Sequence, residues 1–98
     1  MGKKYYVYIM TNKWNTVLYV GVTGNLRLRV KQHKDGSSFG FTKKYNCNKL
    51  VWFHEMEDVA KAIEMEKRLK RWKRKYKENL IEKMNPEWRD LSDDLLPG

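Results

Sequence analysis

The residues best suited to chemistry lie in one short segment, Leu18–His33, which the sequence pattern predicts to be a strand, a turn and a helix. Tyr19 belongs to the strand, whereas Arg29 and His33 lie four residues apart on the helix and therefore share one helix face. A phenol, a guanidinium and an imidazole thus project from a single strand–turn–helix unit. This set is unusual for an element that only packs, and it suits work on a phosphate.

A carboxylate stands out on a later helix. Four apolar residues at helical spacing mark the predicted buried stripe of that helix: Val59, Ala62, Ile63 and Leu69. At 100° per residue Glu66 falls in the middle of this stripe, whereas Glu64 falls on the water-facing side. A buried carboxylate is costly unless it is paired, so Glu66 either forms a structural salt bridge to an arginine or a histidine or serves as a metal ligand or catalytic carboxylate.

Length, charge and cysteine content limit the classes of protein to consider. Ninety-eight residues predict one domain, and a net charge of +9 favours an anionic partner such as nucleic acid, with a membrane surface as the other interpretation. Neither a run of about 18 apolar residues nor a signal-peptide pattern is present. Cys47 is the single cysteine and cannot form an internal disulfide. We therefore expect a cytoplasmic protein with no membrane or disulfide partner.

Turn formers and apolar periodicity predict six elements. The strands are expected at Tyr5–Met10, Leu18–Val22 and Lys49–Glu55, and the first is central because it is apolar on both faces. The helices are expected at Leu26–Lys34 after an Asn25 N-cap, from an Asp58 N-cap to about Arg74, and at Glu78–Met84.

The first two strands form a predicted hairpin. If its turn centres near Lys13 and Trp14, Tyr8 and Tyr19 lie close to opposite each other. Gly21 has no side chain, so we expect the sheet face that carries Tyr19 to be open beside it. The alternative is that Tyr8 and Tyr19 are ordinary half-buried strand tyrosines.

Basic residues accumulate near the end of the long helix, and Trp72 and Tyr76 lie among them. Such a run is usually a solvated face, but cations with interleaved rings also suit nucleic acid, and a basic amphipathic helix also binds partner proteins. Two lysines of the loop at residues 37–48 and five residues of the helix are the predicted nucleic-acid contacts: Lys43, Lys44, Lys67, Lys70, Arg71, Lys73 and Arg74.

The spacing of the candidate residues resembles the GIY-YIG nuclease superfamily. Tyr6-Val7-Tyr8 is followed, eleven residues after its last tyrosine, by Tyr19-Val20-Gly21, which is similar to the paired signature of that family. Arg29 and His33 stand ten and fourteen residues after Tyr19, at the offsets of the family's arginine and histidine. Glu66 matches the family's metal-binding glutamate.

This chain departs from the family pattern at a few positions. Tyr6 replaces the glycine of the first triplet, and valine replaces isoleucine in both triplets. Asn79 is a candidate for the late asparagine of many members. The resemblance extends from Tyr5 to about Leu80 and is closest to small stand-alone bacterial members.

The resemblance implies phosphodiester hydrolysis with one divalent ion, Mg²⁺ or Mn²⁺, at Glu66. Tyr19 would be the general base or pass a proton onward, Arg29 would hold phosphoryl oxygens, and His33 would relay protons. Tyr8 would orient water or phosphate by a hydrogen bond. The remaining motif positions would have a structural role: Tyr6, Val7, Val20 and Gly21.

The fold expected from these elements and from the resemblance is α/β (α+β), with a small central three-stranded antiparallel sheet flanked by helices. We expect residues 1–84 to form the nuclease domain and residues 85–98 to form an acidic tail that packs back through Trp88 and three leucines. DNA is the expected partner. A nucleic-acid-binding module on the same fold that cuts little or nothing is the alternative, and a protein-interaction adaptor that uses the basic helix is a third.

Overall fold

Three antiparallel strands form the sheet in the spatial order β2–β1–β3. The computed structural model describes residues 3–35 and 44–95. The strands are β1 (Tyr5–Thr11), β2 (Leu18–Thr23) and β3 (Lys49–Met56), and the helices are α1 (Leu26–Asp35), α2 (Val59–Arg71), α3 (Arg74–Met84) and a 3₁₀ helix (Leu91–Asp94). This architecture confirms the predicted fold, with the strand that is apolar on both faces at the centre. No helix in the described ranges combines the length and the apolar character that crossing a membrane requires.

The sheet separates two apolar layers, because successive β1 side chains point to opposite faces. On one face, which we call the α2 layer, Val7 and Ile9 pack with residues of β2, β3, α2 and α3: Val20, Val51, Trp52, Ala62, Leu69 and Ile81. On the other face, which we call the α1 layer, Tyr8 and Met10 pack with residues of α1, β3, the 3₁₀ helix and the segment before β3: Leu26, Val30, Cys47, Leu50 and Leu91.

The register of the β1–β2 hairpin differs from the expected one by two residues. Tyr8 pairs with Gly21, and Tyr19 pairs with Met10. The expectation that the two tyrosines lie opposite each other was therefore wrong. Because side chains alternate with a period of two, a shift of two residues still leaves both phenols on the same face.

The hairpin loop explains this shift. The side chain of Asn12 accepts hydrogen bonds from the backbone N–H groups of Thr16 at 2.8 Å and Val17 at 3.3 Å. Asn15 has a positive φ of 57°, a conformation that asparagine tolerates better than most residues. With Thr11 paired to Leu18, the turn centres between Trp14 and Asn15 and not between Lys13 and Trp14.

Side-chain caps fix the starts of α1 and α2. Oδ1 of Asn25 accepts a hydrogen bond from the backbone N–H of Leu28 at 3.1 Å, and Oδ1 of Asp58 accepts one from the N–H of Lys61 at 3.1 Å. Each bond satisfies a donor that the first helical turn leaves unpaired. Both predicted N-caps are confirmed.

The boundary between α2 and α3 differs from the expected one, since α2 does not reach Arg74 and α3 begins before Glu78. The backbone of Trp72 and Lys73 is extended, with ψ of 144° and 150°, so α2 ends at Arg71 and α3 begins at Arg74. Neither residue is a glycine or proline, so the sequence contains no helix-stop signal at this point. The guanidinium of Arg74 donates to the carbonyls of Asn15 and Thr16, so the hairpin loop holds the start of α3.

Residues after α3 pack onto the body of the protein. Leu91 is buried in the α1 layer, and Leu95 packs against the same layer. Trp88 packs against the α2 layer. Oδ1 of Asp90 accepts a hydrogen bond from the N–H of Leu50 at 3.2 Å. The domain boundary at residue 84 stays a prediction, and Leu96 lies outside the described residues.

Candidate active site

Gly21 provides the space that the ring of Tyr8 occupies. A Cβ at Gly21 would lie 2.5 Å from Cζ and from Oη of Tyr8 and 2.9 Å from Cε1. The expectation of an open face beside Tyr19 was therefore wrong, because the fully buried Tyr8 side chain fills it. The tyrosine that ends the first triplet thus requires the glycine that ends the second.

Two phenols and an imidazole form one aromatic cluster in the α1 layer. Ring centroids lie 6.3 Å apart for Tyr8 and Tyr19, 5.8 Å for Tyr8 and His33, and 5.5 Å for Tyr19 and His33. The hydroxyl of Tyr8 lies 3.2 Å from Nε2 of His33. The segment Leu18–His33 and the central strand therefore bring three of the predicted site residues into contact.

The Tyr8 phenol is held in its protonated form. Burial raises the pKa of this phenol well above its ordinary value, and the neighbouring Tyr19 and Glu66 raise it further. The charge of Arg29 and a hydrogen bond from its side chain act in the opposite direction. Since the phenol oxygen accepts from Arg29, the phenol proton is available for Nε2 of His33.

His33 is neutral at pH 7. Burial, followed by the positive charge of Arg29, lowers the pKa of His33 to about 4. The residue is 5% exposed, so its imidazole is almost enclosed by the α1 layer. A neutral imidazole has an acceptor nitrogen, which fits the contact with the Tyr8 hydroxyl.

Glu66 lies on α2, whose apolar residues pack in the layer on the other side of the sheet from Tyr8. The side chain of Glu66 is 13% exposed, and its Oε2 lies 2.7 Å from Nζ of Lys70. Its negative charge raises the pKa of Tyr8, which shows an electrostatic interaction between the two groups. α2 itself packs against the central strand β1 and the edge strand β2, the strands that carry the two phenols.

The buried stripe of α2 differs in part from the expected one. Val59 and Ile63 are exposed, at 46% and 39%, whereas Ala62 and Leu69 are buried. Met65 is partly buried against the α2 layer and completes the stripe. Glu64 is exposed and pairs with Arg68 at 2.8 Å, as its water-facing position predicted.

The donor set of the site fits a weakly held divalent ion. Magnesium at phosphoryl-transfer sites is commonly bound by one or two carboxylates, with waters and substrate oxygens as the other ligands. Glu66 supplies one carboxylate, and it already attracts a cation, the ammonium of Lys70. Within residues 3–35 and 44–95 no group of three or more His, Cys, Asp and Glu could form a protein cage for a metal.

The predicted nucleic-acid contacts fall into three groups. Lys43 lies outside the described residues. Four side chains are exposed: Lys44, Lys67, Arg71 and Lys73. The other two have partners in the protein, since Lys70 pairs with Glu66, and Arg74 binds Glu78 and the hairpin loop.

The ion pair of Lys70 with Glu66 was not predicted from the sequence. Lys70 was assigned to nucleic acid, yet the structure places it on the candidate metal ligand. The signal was available, because Lys70 is four residues after Glu66, the spacing at which a glutamate and a lysine meet on a helix. Asn79, the candidate late asparagine, is exposed on α3, where it lines a shallow surface cavity with Trp72 and Tyr76.

Comparison with known proteins identifies the family of this chain. The family model of the GIY-YIG catalytic domain matches residues 4–79, a range that contains all five candidate site residues. A UPF0213 protein of Clostridium perfringens is 37% identical over 76 residues, which are 78% of this chain and 81% of that protein. A UPF0213 protein of Staphylococcus haemolyticus is 33% identical over 79 residues, which are 81% of this chain and 95% of that protein.

A solved structure shows the same architecture. The solution NMR structure of a UPF0213 protein from Bacillus halodurans aligns with a TM-score of 0.57 and 25% sequence identity. The alignment covers 89% of this chain and 92% of that chain. With the paired triplets on neighbouring strands and the family match over most of the sequence, the chain belongs to the GIY-YIG nuclease superfamily.

Proposed function

We propose that this protein hydrolyses phosphodiester bonds in DNA with Mg²⁺ or Mn²⁺ bound at Glu66. The observation that carries the proposal is the convergence on the Tyr8 phenol. Its hydroxyl contacts His33, its ring lies beside Tyr19, Arg29 donates a hydrogen bond to it, and the charge of Glu66 acts on it. Contacts between two phenols and an imidazole, with a guanidinium and a carboxylate whose charges act on the Tyr8 phenol, support a site for phosphate chemistry.

Arg29 is the phosphate-binding group of the proposed reaction. A guanidinium is permanently charged. The charge of Arg29 acts at this site, since it lowers the pKa of both Tyr8 and His33. A phosphodiester is an anion, and its negative charge spreads over more oxygens in the transition state. A guanidinium with several donors in one plane stabilises that charge better than an ammonium does.

Tyr19 is the proposed general base. Of the two phenols, Tyr8 is fully buried, whereas Tyr19 retains exposed surface through which it can reach water or substrate. Tyr8 and His33 act as positioning residues in this proposal, because their contact fixes the cluster against which Tyr19 packs. This differs from the expected role of Tyr8, which was to touch water or phosphate directly.

Glu66 is the proposed metal ligand. When bound, a divalent ion supplies charge stabilisation at the phosphoryl and leaving oxygens. The carboxylate is largely enclosed, and such a carboxylate needs a cation to offset the cost of burying its charge. Lys70 provides that cation in this structure, which supports the view that the position is suited to positive charge.

The surface around α2 and α3 supports DNA as the partner. The chain carries a net charge of +9, and Lys67, Arg71 and Lys73 project into solvent. Trp72 and Tyr76 are exposed by 37% and 57% among these cations. Cations that bind phosphates make affinity fall steeply with salt, so binding should be weaker at higher ionic strength.

A panel of labelled DNA substrates tests the proposal. Duplex, nicked, flapped, branched and single-stranded DNA are incubated with the protein and with Mg²⁺, Mn²⁺ or EDTA. We expect metal-dependent cleavage of at least one structure and a loss of about 100-fold or more in rate for Arg29→Ala, as for other removed transition-state donors. Arg27→Ala is the matched control, because Arg27 is an exposed arginine on the same helix and should leave the rate unchanged.

The main alternative is a nucleic-acid-binding module on the same fold that does not cut. The pairing of Glu66 with Lys70 and the complete burial of Tyr8 favour it, because both describe groups already engaged with protein partners. Salt-dependent DNA binding without cleavage in any metal would support the module and contradict the enzyme. Equal cleavage by wild type and Arg29→Ala would indicate a contaminating nuclease.

A further inference from the structure

Two ion pairs on α2 have the same spacing but different surroundings. Glu64 pairs with Arg68, and Glu66 pairs with Lys70, each four residues apart with the glutamate first. The side chain of Glu64 is 69% exposed, whereas that of Glu66 is 13% exposed. The first pair is an ordinary surface pair, and the second neutralises the largely enclosed carboxylate that is the proposed metal ligand.

The ammonium of Lys70 occupies a position that a metal ion would also favour. It lies 2.7 Å from Oε2 of Glu66, and Mg²⁺ binds a carboxylate oxygen at about 2.0–2.1 Å. A lysine and a divalent ion on one carboxylate repel each other. Since half of the Lys70 side chain is exposed, at 51%, its ammonium can move away into solvent or to a bound anion.

We propose that Lys70 is a resident counter-ion that competes with the divalent metal for Glu66 and moves to a DNA phosphate when metal and DNA bind. The inference rests on the proposed function of Glu66 as the metal ligand. It assigns Lys70 a positioning role in the same site and makes metal and DNA binding cooperative, because DNA offers the displaced ammonium a new partner. Lys70 therefore lowers the affinity for metal when no DNA is present.

Mn²⁺ titration in the absence of DNA tests whether Lys70 competes with the metal for Glu66. The signal of free Mn²⁺ is followed by electron paramagnetic resonance. The proteins are wild type, Lys70→Gln, Lys70→Arg and the matched control Arg68→Gln, and Glu66→Gln defines the background. We expect Lys70→Gln to bind Mn²⁺ about fivefold more tightly. The variant removes the repulsion between the single charge of the ammonium and the double charge of the ion, which the solvent and salt at the protein surface weaken but do not abolish. Lys70→Arg retains the charge and should resemble wild type, and Arg68→Gln should change the affinity by less than about twofold.

DNA affinity tests whether Lys70 moves to a DNA phosphate. It is measured by fluorescence anisotropy in EDTA and in Ca²⁺. Lys70→Gln should leave binding in EDTA unchanged, because Lys70 is then held by Glu66. In Ca²⁺ the same variant should bind about threefold more weakly, because one phosphate contact is lost. Thermal unfolding of every variant shows whether the fold is intact.

Each outcome separates the inference from the function on which it rests. Unchanged or weaker Mn²⁺ binding by Lys70→Gln, or an equal gain for Arg68→Gln, would overturn the role of Lys70 and leave the nuclease proposal intact. Mn²⁺ binding that survives Glu66→Gln, or that no variant shows, would contradict the metal site itself and with it this inference. An equal effect of Lys70→Gln on DNA affinity in EDTA and Ca²⁺ would contradict the transfer to phosphate.

Discussion

Replacement of Gly21 by alanine tests the packing on which the candidate site depends. The added methyl group would lie 2.5 Å from Cζ and Oη of Tyr8, so the ring would have to move. The ring is fully buried and contacts His33, so it cannot swing into solvent without losing that hydrogen bond. Overpacking of this kind costs about 1–3 kcal/mol, and a lost buried hydrogen bond adds about 1 kcal/mol.

We therefore expect Gly21→Ala to lower the free energy of unfolding by about 2–4 kcal/mol, measured by urea denaturation. For a domain of this size that loss lowers Tm by roughly 10 °C or more. Gly24→Ala is the matched control, since its methyl group would lie 3.9 Å from the nearest atoms, in ordinary contact with the Tyr5 ring. That control should be neutral or stabilise by a few tenths of a kcal/mol, because alanine restricts the unfolded chain.

A double-mutant cycle shows whether Tyr8 is the cause. Leucine at position 8 lacks the atoms that correspond to Cζ and Oη, so Gly21→Ala should cost little in the Tyr8→Leu background. Equal costs of Gly21→Ala in both backgrounds, or equal costs of Gly21→Ala and Gly24→Ala, would refute the reasoning. The first result would show that Tyr8 does not press on Gly21, and the second that any added methyl group in this region destabilises the fold.

Two further predictions concern the Tyr8–His33 contact. Tyr8→Phe leaves a buried imidazole nitrogen without its partner and should cost about 1–3 kcal/mol by urea denaturation, whereas Tyr6→Phe removes an exposed bond to Glu55 and should cost less than about 0.5 kcal/mol; equal costs would contradict the assignment. His33 has a pKa of about 4 in the folded protein and an ordinary value of 6.5, so its contribution is present above pH 6.5 and is lost as the pH falls toward 4. Wild type should therefore lose up to about 3 kcal/mol of stability over that range relative to His33→Gln, and parallel stability curves would contradict the low pKa.

Local patterns in the sequence predicted the starts of the helices better than the register of the hairpin. Asn25 and Asp58 cap their helices through local hydrogen bonds, which depend on nearby residues and are therefore visible in the sequence. The position of Glu66 on the sheltered side of α2 followed from helical periodicity. The hairpin register did not follow, because the Asn12 side chain and the positive φ of Asn15 determine where the turn centres.

Tertiary contacts determine the features that periodicity missed. The end of α2 at Arg71 has no glycine or proline, and the bonds of Arg74 to the hairpin loop come from a distant part of the chain. Val59 and Ile63 fit an apolar stripe yet remain exposed, since the sheet covers only the side of α2 that carries Ala62 and Leu69. The filling of the space above Gly21 by Tyr8 could be known only with the strand pairing in hand.

DNA cleavage by Glu66→Gln and Glu64→Gln, side by side with wild type, tests the central claim most directly. Both substitutions remove one carboxylate from α2, but the Glu66 side chain is largely buried and the Glu64 side chain is exposed to water. In Mg²⁺ or Mn²⁺, wild type and Glu64→Gln should cut the same DNA at the same rate, and Glu66→Gln should bind that DNA without cutting it. Cleavage at the wild-type rate by Glu66→Gln, or equal losses in both variants, would contradict a metal-dependent nuclease centred on Glu66.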